Sequence, residues 1–127
     1  TEIIFIIKDE EVEDTQKLIR LSDLLITDYS SCAMDFSLKQ KDVIFFTPDL
    51  DEYEKETGFY KEFMDFLKEY GIDNIEQLIN RIESNFENDF SLSETTFSLN
   101  KLFNEKVDEV GTFRKQTYEY ICNKIGI

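Results

Sequence analysis

Five consecutive residues with hydroxyl or carboxylate groups follow a short apolar run at 24–26. They are Thr27, Asp28, Tyr29, Ser30 and Ser31. Small hydroxyl residues cap helices, and the first N–H groups of a helix attract phosphate together with the helix dipole. From spacing alone, two interpretations of the serine pair stay equally open: binding of an anionic phosphate, or a plain N-cap that needs no ligand.

The other polar residues in this stretch also have structural interpretations. Asp28 can form a local turn at the end of a strand. Tyr29 can stack on a ligand or pack within the protein. Asp35 is expected to have a structural role, because a carboxylate in a first turn complements the helix dipole.

An acidic run follows the apolar run at 43–46. Asp49, Asp51, Glu52, Glu54 and Glu56 alternate with other residues over eight positions. Paired carboxylates can hold Mg²⁺ or share acid–base work, but no ligand spacing organises these five. We therefore interpret the run as a solvated loop and predict no metal site and no cofactor.

Four elements must position the hydroxyl residues, and residues 22–50 contain them in order. The run 24–26 is typical of a buried strand, 27–31 is a polar loop, Cys32 begins a helix, and 43–46 is a second buried strand that Pro48 ends. In such a unit the carboxyl end of the first strand and the start of the helix lie together and can form an anion pocket.

The flanking sequence predicts an α/β domain. Residues 3–7 form an almost unbroken apolar run, which predicts a central strand. Residues 14–21 predict a helix whose residues Leu18, Ile19 and Leu21 point inward. Two successive βαβ crossovers imply a parallel sheet. A chain that starts with a buried strand also led us to expect a missing amino-terminal half.

Helical periodicity dominates the carboxy-terminal half. Residues 49–60 are expected to be a loop with a helical turn, and 61–70 a helix capped by Gly71. Asp73 with Glu76 predicts a capping box for the next helix, and two further helices are expected from Ser91 to about 107 and over 112–124. The residues expected to point inward from the last three helices are Ile75, Leu78, Ile79, Ile82, Phe86, Phe97, Leu102, Phe103, Phe113, Tyr120, Ile121 and Ile125.

Composition excludes several classes of partner. The 127 residues form one domain or most of one, with a net charge of −14 and no histidine. Binding of nucleic acid is not expected, because neutralising phosphates requires Lys and Arg. No long apolar run is present, so direct membrane insertion is not expected either.

A family resemblance extends over roughly residues 20–62. The ordered segments are 23–31, Asp35, Ile44-Phe45-Phe46, Pro48-Asp49-Leu50, Tyr53 and Gly58-Phe59-Tyr60. Together they resemble the CDP-glycerol glycerophosphotransferase family of teichoic-acid and capsular polymer synthesis. The resemblance implies the GT-B type, with two Rossmann-like domains and a cleft between them, and it places this chain in the carboxy-terminal, donor-binding domain.

The resemblance also implies an enzymatic function. The fold class would be α/β, a parallel Rossmann-like sheet of a partial GT-B domain followed by a helical half. Residues 1–127 would form a single domain, with a βαβαβ donor-phosphate unit over 1–50 and helices packed on it over 61–127. The substrate-binding residues would be Thr27, Asp28, Tyr29, Ser30 and Ser31, which would bind CDP-glycerol or a related nucleotide donor.

The implied reaction transfers a polyol phosphate to the hydroxyl of a polymer acceptor and releases CMP. The family's catalytic work is attributed to upstream histidines, so no catalytic residue is assigned in this chain. We therefore expect the fragment to be inactive without the missing N-terminal domain. The full family members act at the cytoplasmic face of the membrane, which implies a cytoplasmic location.

Two other functions are compatible with the same residues. One is a GT-B domain of a nucleotide-sugar glycosyltransferase or epimerase, which would share the phosphate-binding helix. The other is a non-catalytic, acidic interaction module. The module predicts no nucleotide binding, and it predicts that local capping fully occupies Ser30 and Ser31.

Overall fold

The computed structural model describes residues 6–11, 14–58, 60–103 and 113–126. Apart from a short 3₁₀ turn at Asp9–Glu11, the elements in chain order are α1 (Thr15–Leu21), β1 (Leu25–Thr27), α2 (Cys32–Ser37), β2 (Val43–Phe45), α3 (Leu50–Thr57), α4 (Lys61–Tyr70), α5 (Ile75–Glu87), α6 (Glu94–Phe103) and α7 (Phe113–Ile125). The predicted mixed α/β class is confirmed, with a small parallel sheet and seven helices in the described part.

The sheet has its strands side by side and parallel. Leu25 pairs with Val43, and Thr27 pairs with Phe45. Ile72 adds a single parallel bridge on the other side of β2, where its N–H donates to the Phe45 carbonyl oxygen over 2.8 Å. The crossover from β1 to β2 runs through α2, as the strand–loop–helix–strand pattern predicts.

Burial differs between the two strands. Val43, Ile44 and Phe45 of β2 are all buried, as predicted. In β1 the prediction of burial is wrong for Ile26, which is 43% exposed, while Leu25 is half-buried. Within the described residues β1 pairs only with β2, so the other edge of β1 has no neighbouring strand.

The core lies where α2, α4 and α6 meet β2. Phe45 makes edge-on ring contacts with Phe63 and Phe66 of α4, at centroid distances of 6.1 and 5.4 Å. Phe36 of α2 and Leu99 of α6 are fully buried in the same cluster. Aromatic rings carry large apolar areas, so these few residues supply much of the burial that holds the helices on the sheet.

Several predicted boundaries are wrong in detail. A full helix, α3, replaces most of the expected loop over 49–60. It ends before Gly58, whose φ of 59° is in the left-handed region that glycine adopts readily. The N-cap of α5 is Asn74, whose side chain accepts from the Gln77 N–H. The helix therefore begins one residue later than the predicted capping box at Asp73 implies, and it extends to Glu87.

Some residues predicted to point inward are exposed. In α5, Ile75, Ile79 and Phe86 are exposed while Asn85 is buried. The same correction applies to Leu21 of α1, which is 82% exposed. Further exposed residues that were expected inside are Phe97, Leu102, Phe103, Tyr120, Ile121 and Ile125.

Some predictions fall wholly or partly outside the described residues, among them the ends of the helices predicted to about 107 and from 112. The predicted strand at 3–7 is described only at Ile6 and Ile7, which are exposed and not in a strand. The side chain of Phe113 also lies outside the described set.

Candidate functional site

The carboxyl ends of β1 and β2 lie at one edge of the sheet, because the strands are parallel. Residues 28–31 leave β1 at this edge and lead directly into α2. The Thr27 carbonyl oxygen accepts from the Phe46 N–H over 2.8 Å, so β1 is fixed by backbone bonding to its last residue. The structure therefore places the predicted site residues together on one loop, which we call the serine loop (Thr27–Ser31).

The two serines are exposed and only partly used for capping. Ser31 is at the N-cap of α2, and its side chain makes no capping hydrogen bond. The Ser30 hydroxyl oxygen accepts from the Cys32 N–H at 3.4 Å, which is long for such a bond. Neither backbone N–H of the pair donates to a partner within the described residues. The pair thus offers hydroxyl and N–H groups to solvent.

Asp28 bonds to its own neighbour. Its Oδ1 accepts from the Tyr29 N–H at 2.6 Å. In the local turn that was one interpretation of Asp28, the carboxylate would contact the residue two positions along the chain. Here it contacts the next residue instead. Asp28 also lines a shallow cavity of about 380 Å³ with Ile26, Thr27 and Phe46.

Tyr29 is held by the protein itself. Its ring stacks on Tyr53 of α3 with centroids 3.6 Å apart and planes 5° apart. Its hydroxyl donates to Asp49 Oδ1 over 2.8 Å. Burial raises the pKa of the Tyr29 phenol, and the hydrogen bond to the Asp49 carboxylate raises it further. Of the two interpretations of Tyr29, this geometry favours packing over stacking on a ligand.

Asp35 contacts a neighbouring helix. Its Oδ2 accepts from Gln16 Nε2 of α1 over 3.0 Å. This bond links the two helices that flank β1 in the chain. The contact accords with the structural role expected for Asp35.

The acidic run is distributed between α3 and the residue before it. Asp49 contacts Tyr29, and Glu54 forms an ion pair with Lys68 of α4 at 2.9 Å. That hydrogen bond to Glu54 raises the pKa of the Lys68 ammonium group. No cluster of carboxylates suited to a metal ion occurs within the ranges that the structure describes.

Sequence reasoning missed Asp42, whose buried carboxylate contacts several other side chains. It lies at the opposite, amino end of β2 and is 1% exposed. Its carboxylate forms an ion pair with Arg81 at 3.1 Å and accepts from Asn85 Nδ2 at 2.6 Å. The hydroxyls of Ser93 and Thr96 also donate to it. Before the fold is known, Asp42 looks like any charged turn residue, because its partners lie at least 39 positions away in the chain.

Thr47 was also missed. It is 2% exposed and lies beyond the carboxyl end of β2. Its backbone N–H donates to the Ile72 carbonyl oxygen over 2.8 Å. Its position between a buried strand and Pro48 was the one available signal, since polar residues at strand ends often line sites in parallel sheets.

No helix among the described residues has both the length and the apolar character needed to cross a bilayer.

Comparison with known proteins identifies a family match over almost the whole chain and individual relatives over about half of it. The family described as CDP-Glycerol:Poly(glycerophosphate) glycerophosphotransferase matches residues 1–122. A teichoic acid ribitol-phosphate primase of Bacillus spizizenii is 40% identical over 72 residues, which cover 57% of this chain and 18% of that protein.

Two further relatives have similar names. A teichoic acid poly(glycerol phosphate) polymerase of Bacillus subtilis is 48% identical over 52 residues, 40% of this chain and 7% of that protein. A teichoic acid glycerol-phosphate transferase of Staphylococcus aureus is 45% identical over 65 residues, 50% of this chain and 16% of that protein.

The chain thus spans less than a fifth of the length of these relatives. No solved structure matches it. The family match covers far more than half of the chain and includes the serine loop at the edge of the parallel sheet. The chain therefore belongs to the CDP-Glycerol:Poly(glycerophosphate) glycerophosphotransferase family.

Proposed function

We propose that this chain is the donor-binding part of a transferase that moves a polyol phosphate from a CDP-linked donor to an acceptor hydroxyl. Family membership and the names of the relatives support the transferase class. The observation that carries the proposal for this chain is the serine loop, whose exposed hydroxyl and N–H groups lie at the carboxyl edge of a parallel sheet. Ligands of open α/β sheets bind at that edge.

In the proposed complex the diphosphate of the donor lies against Ser30 and Ser31. Their hydroxyl and N–H groups can donate to phosphate oxygens, which are strong acceptors. The acceptor hydroxyl attacks the β-phosphorus, the bond to CMP breaks, and negative charge grows on the departing CMP. Donors positioned beforehand stabilise that charge, which is electrostatic catalysis and needs no proton transfer from this chain.

The acceptor hydroxyl must also lose a proton, and this chain has no histidine to take it. We propose that another part of a longer protein supplies the base, as expected for the missing N-terminal domain of a GT-B enzyme with a cleft between its domains. The small share of the relatives that the chain spans supports this division. On this proposal the 127-residue chain binds donor but does not turn it over.

The contacts of Tyr29 support a serine loop that is already ordered before a ligand binds. The Tyr53 stack and the Asp49 hydrogen bond hold the middle of the serine loop from α3. A loop that is already ordered loses less conformational entropy when a ligand binds. Tyr29 would then act as a positioning residue, while the serines contact the ligand.

Calorimetry with CDP tests the proposal. We expect the double variant Ser30→Ala with Ser31→Ala to weaken CDP binding roughly tenfold or more, because the lost charge-assisted hydrogen bonds together contribute on the order of 1.5 kcal/mol or more. Ser91→Ala is the matched control, since Ser91 is also exposed but precedes α6. Equal affinity in both variants would refute phosphate binding by the serine loop.

A comparison of donors addresses the two alternative functions. Tighter binding of CDP-glycerol or CDP-ribitol than of UDP-sugars supports the glycerophosphotransferase, and the reverse order supports a glycosyltransferase or epimerase. The interaction module predicts that none of them binds. The exposed Ser31 side chain, which makes no capping bond, argues against that module because the module requires full occupation by capping.

A further inference from the structure

We propose that α5 binds α7 of a second copy of this chain, so that two copies form a dimer with two such helix pairs. In a two-fold dimer each α5 meets the α7 of the other copy, and the contact is made twice. Both helices have an apolar face that is exposed in the single chain. The two faces match in length, in apolar spacing and in the sign of the charges beside them.

The face of α5 is a row of apolar side chains, which we call the α5 stripe (Ile75, Ile79, Ile82 and Phe86). Steps of four, three and four residues place them on one side of the helix. Ile82 is half-buried, whereas the other three are between 50% and 68% exposed. The Phe86 ring makes an edge-on contact with Phe90, with centroids 5.0 Å apart. This spacing is that of the seam between two packed helices.

The α5 stripe needs a cover that α5 itself does not provide. Single exposed apolar residues are normal, but a contiguous group of them marks an interaction surface. α5 turns its Asn85 side to the core, where Asn85 Nδ2 donates to the buried Asp42 carboxylate over 2.6 Å. A rotation of α5 that buried the stripe would remove this bond from a buried ion, which is costly. A neighbouring helix must therefore come to the stripe.

α7 has the matching face. Tyr118, Ile121 and Ile125 follow each other in steps of three and four residues, and all three are exposed. We call them the α7 stripe. Both α5 and α7 have 13 residues, which corresponds to a length of about 20 Å. The two stripes can therefore pack against each other along both helices.

The charges beside the two stripes have opposite signs. Residues three or four positions apart are neighbours on a helix surface. Exposed Glu76 and Glu83 are at these distances from Ile79, and Glu87 extends the same acidic row. Exposed Lys115 and Lys124 each lie three positions from a residue of the α7 stripe. Packing of the stripes thus brings carboxylates next to ammonium groups.

The two lysines have weak contacts within α7. The Lys115 ammonium lies 3.8 Å from a Glu119 carboxylate oxygen, and both side chains are exposed. The Lys124 ammonium lies 5.6 Å from the centroid of the Tyr120 ring. Exposed pairs of this kind contribute little. Both lysines can therefore exchange these contacts for the glutamates of α5.

The charges also decide between possible occupants of the α5 stripe. A second α5 would place glutamates against glutamates, and an anionic lipid surface would repel the same row. A second α7 would likewise place lysines against the lysines of the first. The pairing of α5 with α7 brings opposite charges together. The net charge of −14 on each copy opposes association, but physiological salt screens repulsion beyond about 8 Å.

Sedimentation of the 127-residue chain at physiological salt, over a wide range of concentrations, tests the proposal. We expect an equilibrium between monomer and dimer. Ile79→Ser should raise the dissociation constant roughly tenfold or more, because one substitution removes apolar contact from both helix pairs. Leu21→Ser is the matched control, since Leu21 is also an exposed apolar helix residue but lies in α1. Circular dichroism checks that both variants are folded.

Charge reversal identifies the two partners. One chain carries Glu76→Lys, Glu83→Lys and Glu87→Lys, and the other carries Lys115→Glu and Lys124→Glu. Either chain alone places like charges in both helix pairs, whereas a mixed dimer restores opposite charges in both. We therefore expect each chain alone to be monomeric and the mixture to form mixed dimers.

Each outcome supports or overturns the contact between α5 and α7. A chain that remains monomeric at every concentration overturns it, and so does a dimer that is as tight in Ile79→Ser as in Leu21→Ser. A dimer that is lost in Ile79→Ser but does not form from the two reversed chains overturns the assignment of α7 as the partner. None of these measurements includes a nucleotide, so their failure leaves the proposed donor binding untouched.

Discussion

At the amino end of β2 the Asp42 carboxylate is buried and has Arg81, Asn85, Ser93 and Thr96 as partners. At the carboxyl end of β1, by contrast, Ser30 and Ser31 are exposed and make little use of their side chains. One end of the sheet uses its polar groups to join helices. The other leaves them available, which is the arrangement expected of a binding edge.

The difference follows from the cost of burial. A carboxylate removed from water must be paired and hydrogen-bonded, so a buried Asp42 requires partners from α5 and α6. An exposed serine hydroxyl exchanges readily between water and a ligand. Full satisfaction of Asp42 therefore indicates a structural role, whereas the exposed donors of the serine loop are the groups to which we have proposed a binding role.

The largest effect on stability is expected from Asp42→Ala at the amino end of β2. We expect a loss of about 3 kcal/mol or more in the free energy of unfolding, because the partners of a buried ion are left unpaired. Urea unfolding followed by circular dichroism measures this. Asp23→Ala is the control, since Asp23 forms an exposed ion pair with Lys41 and its loss should change little. Similar losses in both variants would contradict the structural role of Asp42.

A second loss of stability is expected from Asn100→Ala. Asn100 and Ser37 are both buried, and the Ser37 hydroxyl donates to Asn100 Oδ1 over 2.7 Å while Asn100 Nδ2 donates to the Ser37 carbonyl oxygen. Removal of this link between α2 and α6 should cost about 2 kcal/mol. The same unfolding experiment applies, with exposed Asn80→Ala as control. An unchanged midpoint would show that the pair is dispensable.

At the serine loop, where we have proposed donor binding, Tyr53→Ala should affect ligand binding more than stability. Loss of the ring stack with Tyr29 costs about 1 kcal/mol. The serine loop also loses its support, so CDP should bind several-fold more weakly. Tyr53→Phe keeps the ring and is the matched control. If Tyr53→Ala lowers stability but not CDP affinity, Tyr29 and Tyr53 have a structural role, as Asp42 does.

The smallest effect concerns the titration of Tyr29. Because its pKa is raised in the folded protein, the stabilisation from its neutral form is complete below the ordinary tyrosine pKa of about 10. That stabilisation is lost as the pH rises through the folded-state value. Phenolate absorbance should show one tyrosine that ionises later than the others, and Asp49→Asn should bring it closer to them. Late ionisation that persists unchanged in Asp49→Asn would assign the shift to burial alone.

Much of the local structure follows from residues close in the chain. The apolar run 43–46 and Pro48 predicted β2 to within one residue, and the periodicity of 61–70 predicted α4. The position of the serine loop between β1 and α2 was also predicted, since strand, hydroxyl loop and helix follow each other without interruption. These features depend on steric and hydrogen-bonding preferences of neighbouring residues.

The orientation of α5 could not be predicted in the same way. Its apolar residues Ile75, Ile79 and Phe86 form a stripe that periodicity assigns to the core, yet they are exposed. Asn85 is the residue that is buried, because it donates to Asp42. Only the fold brings Asp42 next to this helix, and pairing a buried carboxylate outweighs covering the stripe.

The sequence by itself determined the order of β1, α2 and β2, the serine loop and the acidic character of the chain. The tertiary structure alone decided that Asp42 is buried among partners from α5 and α6, and that Tyr29 is held by Tyr53 and Asp49. The physical reason is distance along the chain. Local geometry depends on neighbours, whereas burial and polar pairing depend on which distant residues packing brings together.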